Sequence, residues 1–403
     1  MKKDSLKIRY LYLTIATLVM LFAGVLYAWS ILKNPFSTEL LWENNLLALN
    51  YTLTMCFFCL GGLLGAFLSK KTGVLISLFI SAVCVGAGFC LTALASANQI
   101  WLLFISYGVL AGTGIGVSYN VVISTVNKWF PDKKGLCTGC LMLGFGASTL
   151  VLGNVISKGF ALESVGWRNT YLILGASLFA VITIGALILK PPSQDVVFPS
   201  ISEKKNVETA KRDYTTLQMI KTPSFWMCFV VLVLLSSVGS SAISFAFNLS
   251  LFVGSNEATA TTLVGVLSIF NGIGRILTGA SFDFFGRRKT MLIANAVTVL
   301  ATVMTLLAVI FSSIVLLILG LVLIGVSYGT CSTTTSVYPL VFYGKKHFST
   351  NLAVMTFNVM GGSLLAMVSN TLVGSSGGYV LPFIVLSVFT VVAFIINFFI
   401  KKA

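Results

Sequence analysis

The sequence predicts an all-α membrane protein with twelve transmembrane helices. Hydrophobic residues make up 57% of the chain and charged residues only 9%, whereas a soluble domain carries about 25% charge. The mean hydropathy of +0.98 indicates more apolar surface than one protein core can bury, so much of it must face lipid. This composition excludes a soluble enzyme, a nucleic-acid-binding domain and a disordered chain.

Twelve apolar runs have the length of a membrane span, which takes about 20 residues. We do not interpret the first run as a cleaved signal peptide, because it is long and leads directly into further spans. The predicted spans are 8–32, 45–69, 74–96, 100–127, 135–158, 169–189, 224–253, 258–282, 290–312, 314–342, 351–372 and 378–400.

The longest polar stretch, from Lys190 to Thr222, divides the spans six and six. An even division around a polar loop is typical of two homologous halves. We therefore expect a bundle over 1–190, a central loop over 191–222 and a second bundle over 223–403.

The distribution of basic residues predicts the orientation in the membrane. With the N-terminus inside, 22 Lys and Arg residues fall on the inner side and 3 on the outer side. Such a bias predicts cytoplasmic termini in a multi-pass protein of the cell membrane. The net charge of +15 lies in short clusters between spans and not on one face, so we expect no nucleic-acid partner.

The reactive side chains predict no catalytic or metal site. The eleven acidic residues all lie outside the predicted spans, and the one histidine, His347, lies between spans. Most of the eight cysteines lie inside apolar runs, where they pack as small residues. The chain therefore lacks the catalytic groups that an enzyme would need, and we expect no cofactor.

Arg275 is the one basic residue in the interior of a predicted span; Arg9 and Lys158 lie at the ends of their spans and are counted with the loops. A charge at this depth costs about 2.5–3.5 kcal/mol on insertion scales, which points to a functional use. We interpret Arg275 as an anion-binding residue; the alternative is a structural arginine that bonds backbone carbonyls. Asn271 lies one helical turn away on the same face and could share the ligand.

Other polar and aromatic residues inside the spans could line a binding cavity. Tyrosine hydroxyls together with an arginine would suit a carboxylate. Taken singly, each of them is as easily a helix-packing residue. The candidates are Tyr27, Tyr119, Asn120, Tyr328, Ser332 and Asn358.

The loop after span eight carries a recognisable motif. The pattern G-x-x-x-D-x-x-G-R-R is formed by Gly279, Asp283, Gly286, Arg287 and Arg288. It resembles the loop motif of the major facilitator superfamily. A degraded copy with Ser69 in place of the aspartate follows span two. The resemblance implies two pseudo-symmetric six-helix bundles built from inverted repeats, with substrate near the midplane, and a gating role for the motif.

Further stretches of the sequence carry a narrower resemblance: 24–30, 112–119, 128–135, 166–168, 225–226 and 271–275. In them the chain resembles the oxalate/formate antiporter family and, more distantly, the monocarboxylate carriers. The resemblance implies that Arg275 binds a substrate carboxylate and that Tyr27, Tyr119 and Tyr328 line the cavity.

The chain departs from these relatives at two positions. The oxalate carriers pair the arginine with a lysine in span eleven, but this chain has no Lys or Arg between His347 and Lys401. The proton-coupled carriers have an aspartate one turn before the arginine, where this chain has Asn271.

We therefore expect a secondary transporter that moves a small monocarboxylate, such as formate, lactate or pyruvate, by alternating access. Oxalate/formate exchange is an alternative. A non-transporting membrane sensor or structural protein is an alternative of another class, disfavoured because we expect a soluble signalling domain in such a protein and see none in the sequence. The expected partners are a small organic anion and the lipid bilayer, and the expected functional unit is a monomer.

Overall fold

The computed structural model describes residues 4–193, 196 and 212–400, and every regular element in them is a helix. Short 3-10 segments cover Gly24–Ala28 and Asn127–Trp129, and a π-helix covers Phe104–Ala111. The α-helices are α1 (Asp4–Ala23), α2 (Trp29–Leu32), α3 (Asn34–Thr38), α4 (Asn44–Thr92), α5 (Ile100–Leu103), α6 (Gly112–Val126), α7 (Lys134–Ala161), α8 (Gly166–Ile188), α9 (Thr216–Ile220), α10 (Pro223–Phe252), α11 (Glu257–Ile310), α12 (Ile314–Tyr343), α13 (Phe348–Ser376) and α14 (Val380–Phe398).

The helices account for twelve membrane crossings. Eleven candidate spans are found in the described residues, and one of them, Asn45–Thr92, is 48 residues long. At about 1.5 Å per residue it is more than twice the thickness of the hydrocarbon core. Non-helical backbone at Gly73 divides it, as Gly286 divides α11. The predicted all-helical, twelve-span fold is confirmed.

Two of the predicted spans are not continuous α-helices. Span one is interrupted by the 3-10 segment after Ala23 and continues to Thr38 through α2 and α3. At the interruption Gly24 lies against α7 so closely that a Cβ would be 2.8 Å from Ser148 Cβ. Span four contains the π-helix between α5 and α6. Neither feature changes the apolar pattern, which explains why hydropathy does not predict them.

The chain divides into two units by its internal contacts. The first comprises Met1–Lys204 with Leu352–Val354, and the second comprises Lys205–Asn351 with Met355–Ala403.

In the first unit, α4 packs closely on α6. A Cβ at Gly112 would lie 2.8 Å from Thr54 O, and one at Gly61 would lie 2.8 Å from Thr113 Cα. Glycines therefore allow the two backbones to meet, as small residues do between helices packed in lipid.

In the second unit, α10, α11, α12 and α14 share a hydrophobic core that includes Phe245, Leu267, Leu321 and Phe383. Many other large apolar side chains remain exposed: Leu60, Leu64 and Phe67 are 40%, 50% and 57% exposed along one face of α4. Such faces suit lipid and not water.

Candidate functional site

Arg275 lies in α11 with no exposed surface. Its Nε donates to Asn271 Oδ1 over 3.2 Å, and its Nη2 donates to Ser332 Oγ on α12 over 3.4 Å. The Thr333 hydroxyl donates to the Arg275 carbonyl over 3.4 Å. The structure thus brings together three of the predicted site residues, Arg275, Asn271 and Ser332.

Glycines on both helices bring α12 to this part of α11. A Cβ at Gly274 would lie 2.7 Å from Val326 Cα, and one at Gly329 would lie 2.9 Å from the backbone nitrogen of Arg275. Larger residues at either position would separate the helices. This close approach is what places Ser332 within reach of the guanidinium.

Tyr328 is held by a third glycine, on α10. A Cβ at Gly239 would overlap the Tyr328 ring and lie 2.6 Å from Tyr328 Cβ. Ser332 donates to the Tyr328 carbonyl over 3.1 Å. Tyr328 is therefore fixed one helical turn from the serine that contacts Arg275.

Asn358 on α13 is hydrogen-bonded to α12, the helix that carries Ser332 and Tyr328. Its Nδ2 donates to Thr335 Oγ1 over 2.9 Å and to Met355 O over 2.6 Å. The Ser236 hydroxyl of α10 donates to the Asn358 carbonyl over 3.1 Å. Neutral oxygen and amide groups thus connect α10, α12 and α13 within three residues of Ser332.

The two side-chain acceptors shown for the Arg275 guanidinium are uncharged. Two of its N–H groups donate to the neutral oxygens of Asn271 and Ser332, which lower the cost of burial but carry no formal charge. The sequence places no Asp or Glu between Glu257 and Asp283. Arginine offers five donors in a planar fork that matches a carboxylate.

In the first unit, Tyr27 and Tyr119 both pack on Phe145, with ring centroids 5.2 Å and 5.3 Å apart. The Tyr119 hydroxyl donates to Met142 Sδ over 3.5 Å. Asn120 is buried beside Tyr119 on α6. The structure brings Tyr27 and Tyr119 around one aromatic side chain of α7.

The predicted residues therefore form two groups, one in each unit. Sequence reasoning missed Phe145 and Gly239, which position the tyrosines. Phe145 has no polar group to distinguish it from lipid-facing phenylalanines. Gly239 is visible in the sequence only as a glycine inside a span, which does not indicate its contact with Tyr328.

The loop motif is visible in the backbone. Gly286 has a φ of 71°, which favours glycine, and the Arg287 guanidinium lies 4.1 Å from the centre of the Phe342 ring. Arg288 is exposed. The side chain of Asp283 lies outside the part of the structure that is described, so its expected contact with Arg288 stays a prediction.

Asp213 caps the loop between α12 and α13. Its Oδ1 accepts the backbone N–H groups of Lys345 over 2.7 Å and Lys346 over 3.1 Å. The amides of Lys346 and Lys345 hold the pKa of Asp213 below its usual range. A Cβ at Gly344 would lie 3.0 Å from Asp213 Cα. The remainder of the predicted central loop lies largely outside the described residues.

Among residues 4–193, 196 and 212–400, no group of three or more His, Cys, Asp and Glu side chains could hold a metal ion.

Comparisons with known proteins agree with this architecture. A family model described as Major Facilitator Superfamily matches residues 13–366 and 253–403. The oxalate:formate antiporter of Oxalobacter formigenes is 26% identical over 399 residues, which cover 97% of this chain and 91% of that protein. Monocarboxylate transporter 12 of Xenopus laevis is 24% identical over 245 residues, which cover 57% of this chain and 52% of that protein.

Among solved structures, the crystal structure of the major facilitator transporter FucP in the outward conformation matches with a TM-score of 0.68. The match is 12% identical and covers 97% of this chain and 99% of that one, so it supports the fold alone. Three findings lead to one conclusion: the long helices are apolar, a non-helical glycine divides both α4 and α11, and the family model matches. The chain is a multi-pass membrane transporter that belongs to the Major Facilitator Superfamily.

Proposed function

We propose that this transporter moves a small monocarboxylate anion by alternating access, with Arg275 binding the carboxylate. The observation that carries the proposal is the complete burial of the Arg275 guanidinium in a membrane helix. The same part of the second unit also contains neutral hydrogen-bonding groups, which come from Asn271, Ser332, Tyr328 and the region around Asn358. Tyr27, Tyr119 and Asn120 are the proposed substrate-facing residues of the first unit.

The proposal follows from the energetic cost of the charge. A buried charge is unfavourable unless it is paired and hydrogen-bonded. The oxygens of Asn271 and Ser332 solvate the guanidinium, and a carboxylate would add an opposite charge and two acceptors. At an effective dielectric of about 20, an opposite charge at about 4 Å contributes about 4 kcal/mol.

A monoanion fits this site better than a dianion. Arg275 is the one basic residue in the interior of the predicted spans, and residues 348–400 contain no Lys or Arg. A second carboxylate would enter a low-dielectric region with only hydroxyls and amides as partners. Formate, lactate and pyruvate each carry the single charge that Arg275 can neutralise.

Oxalate/formate exchange is the second candidate. It is supported by the similarity to the oxalate:formate antiporter, which extends over 97% of this chain. For this candidate, hydroxyl and amide groups near Arg275 would have to stabilise the second carboxylate.

The charges also bear on coupling. No Asp or Glu lies in a predicted span, and Asn271 cannot accept a proton near neutral pH. Transport therefore has no carboxylate relay at membrane depth. We expect exchange of one monoanion for another to continue without a pH gradient.

The orientation follows from the basic loops. With 22 basic residues on one side and 3 on the other, the termini and the 190–222 loop lie in the cytoplasm and the protein resides in the cell membrane. The bundle boundaries at 1–190 and 223–403 and a monomeric functional unit belong to the same proposal. Reporter fusions after Thr215 and after Ser375 should report opposite sides of the membrane; the same side for both would contradict this orientation.

A thermal-shift titration of the purified protein tests the binding residue. Because a ligand that binds only the folded state raises its stability, formate, lactate and pyruvate should each raise the melting temperature saturably. Arg275→Ala should abolish the response, and Arg275→Lys should largely abolish it because an ammonium lacks the guanidinium fork. Lys158→Ala, which removes a basic residue at the end of α7, should respond like the wild type. Normal binding by Arg275→Ala would show that the site lies elsewhere.

A further inference from the structure

Three side chains of the first unit form a buried polar cluster that the proposed function does not use. Asn50 and Tyr51 lie on α4, and Tyr107 lies in the π-helix. Asn50 and Tyr107 have no exposed surface, and Tyr51 is 6% exposed. We call these three residues the Asn50 cluster.

The polar atoms of the cluster lack partners within the described part of the chain. Both amide atoms of Asn50 and the hydroxyls of Tyr51 and Tyr107 are buried without a hydrogen bond to a described residue. Most buried polar atoms in proteins have a partner, and each exception needs an explanation. Four such atoms lie on three neighbouring side chains of the first unit.

The members of the cluster lie close together. A Cβ at Gly108, the residue after Tyr107, would lie 3.0 Å from Asn50 Oδ1. The phenol of Tyr51 interacts electrostatically with those of Tyr27 and Tyr107. The amide and the phenols therefore occupy one region between α4 and the π-helix.

The backbone at this point is also irregular. Tyr107 is part of the π-helix Phe104–Ala111, and the Gly112 N–H donates to the Tyr107 carbonyl five residues earlier. Short π-segments inside α-helices are rare and occur frequently at functional sites. This is a second, independent observation at the same residue.

The surroundings select a neutral ligand. The ring of Trp29 lies 4.8 Å from that of Tyr107 and the ring of Phe89 lies 5.4 Å from it, so aromatic faces border the cluster. Among the described residues, the phenols of Tyr27 and Tyr107 are the ionisable groups that interact with Tyr51. A carboxylate would be costly to bury among such groups, whereas a hydrogen-bonded neutral carboxyl group would cost much less.

We propose that the Asn50 cluster is a second ligand site, which binds the undissociated form of a small carboxylic acid. A primary amide and a carboxylic acid have matching pairs of groups: Asn50 Nδ2 donates to the acid carbonyl, and the acid hydroxyl donates to Asn50 Oδ1. The Tyr51 and Tyr107 hydroxyls supply further hydrogen bonds. The site does not rest on the anion site at Arg275, which lies in the second unit.

Lactamide is a suitable probe, because it presents a carbonyl beside an N–H donor and does not ionise near neutral pH. In a thermal-shift titration at pH 7.5, lactamide should stabilise the wild type saturably. Methyl lactate keeps the carbonyl but lacks the donor, so it should bind at least about tenfold more weakly.

Three variants locate the response. Asn50→Leu, Tyr51→Phe and Tyr107→Phe should each weaken lactamide binding by about tenfold, and the two phenylalanine variants decide the result if Asn50→Leu does not fold. Arg275→Lys should retain the lactamide response while losing the response to lactate, which separates the two sites. The proposal is overturned if the wild type shows no saturable response, if lactamide binds all three variants as it binds the wild type, or if Arg275→Lys abolishes the response.

Discussion

The guanidinium of Arg275 donates from Nε to the side-chain oxygen of Asn271 over 3.2 Å, within one turn of α11. The amide orients the guanidinium without neutralising it. Asn271 therefore adds no negative charge beside the guanidinium.

Replacing this amide by a carboxylate should close the site to anions. In Asn271→Asp the new negative charge pairs with Arg275, and we expect lactate affinity to fall by more than about a hundredfold. Asn271→Ala is the matched control: it removes one neutral hydrogen bond and should weaken binding by about tenfold or less. Thermal-shift titrations give both dissociation constants. Lactate binding by Asn271→Asp at wild-type strength would contradict the role given to Arg275.

Gly239 should be intolerant of a methyl group because its backbone touches Tyr328. The Cβ in Gly239→Ala would lie 2.6 Å from Tyr328 Cβ, an atom that rotation of the side chain cannot move away. We expect a stability loss of about 1–3 kcal/mol from overpacking and weaker lactate binding.

Gly265→Ala is the control for Gly239→Ala. Gly265 lies on α11 with nothing within 4 Å of a built Cβ, and alanine favours a helix interior. Its melting temperature should be unchanged or higher, and its lactate affinity should match the wild type. Equal melting temperatures for Gly239→Ala and Gly265→Ala would show that the Tyr328 contact is not rigid.

The loop held by Asp213 should loosen in acid. Hydrogen bonds from the Lys346 and Lys345 amides hold the native pKa of Asp213 below its ordinary value, which is about 3.9 in unfolded peptides. The stabilisation is therefore fully present above this ordinary value and is lost as pH falls through the lower native pKa.

Hydrogen exchange at the Lys345 and Lys346 amides measures this effect. Asp213→Asn should lose protection at neutral pH, because the neutral amide is a weaker acceptor. Glu163→Gln, which also removes one exposed carboxylate, should keep it. Unchanged protection in Asp213→Asn would show that the loop is held by other contacts.

Asp283 should affect transport more than binding. The resemblance of its loop to the superfamily motif implies a contact between this carboxylate, Arg288 and a neighbouring helix end in one conformational state. Asp283→Asn should slow lactate uptake into liposomes while changing the dissociation constant by less than about threefold, since the ligand site is untouched. Ser69→Ala, at the corresponding position of the first half, should transport normally. Lost binding together with normal transport rates would refute the gating role.

Much of the fold could be predicted because the membrane imposes a simple rule. Apolar length gives the spans, and the motif copies around Ser69 and Asp283 locate the turns that the structure shows at Gly73 and Gly286. The π-helix at Tyr107 could not be predicted, since a change of hydrogen-bond register leaves the apolar pattern intact.

The site could be predicted only in part, because the sequence shows which residues are charged or apolar but not how the helices pack. Arg275 is conspicuous because a charge inside a span is expensive. The contact of Gly239 with Tyr328 depends on how two distant helices cross, which a single sequence does not report. Asn50 and Tyr107 carry ordinary polar groups, and only the packing around them shows that those groups are buried without a described partner.

The central claim is that the buried cation Arg275 selects a single negative charge. Counterflow in liposomes, with equal pH on both sides and labelled formate, lactate, pyruvate or oxalate, tests it most directly. The account predicts that exchange of monoanions proceeds without a proton gradient and that monoanions bind at least about tenfold more tightly than oxalate, because the second carboxylate finds no cation. Oxalate as the best substrate would contradict the claim.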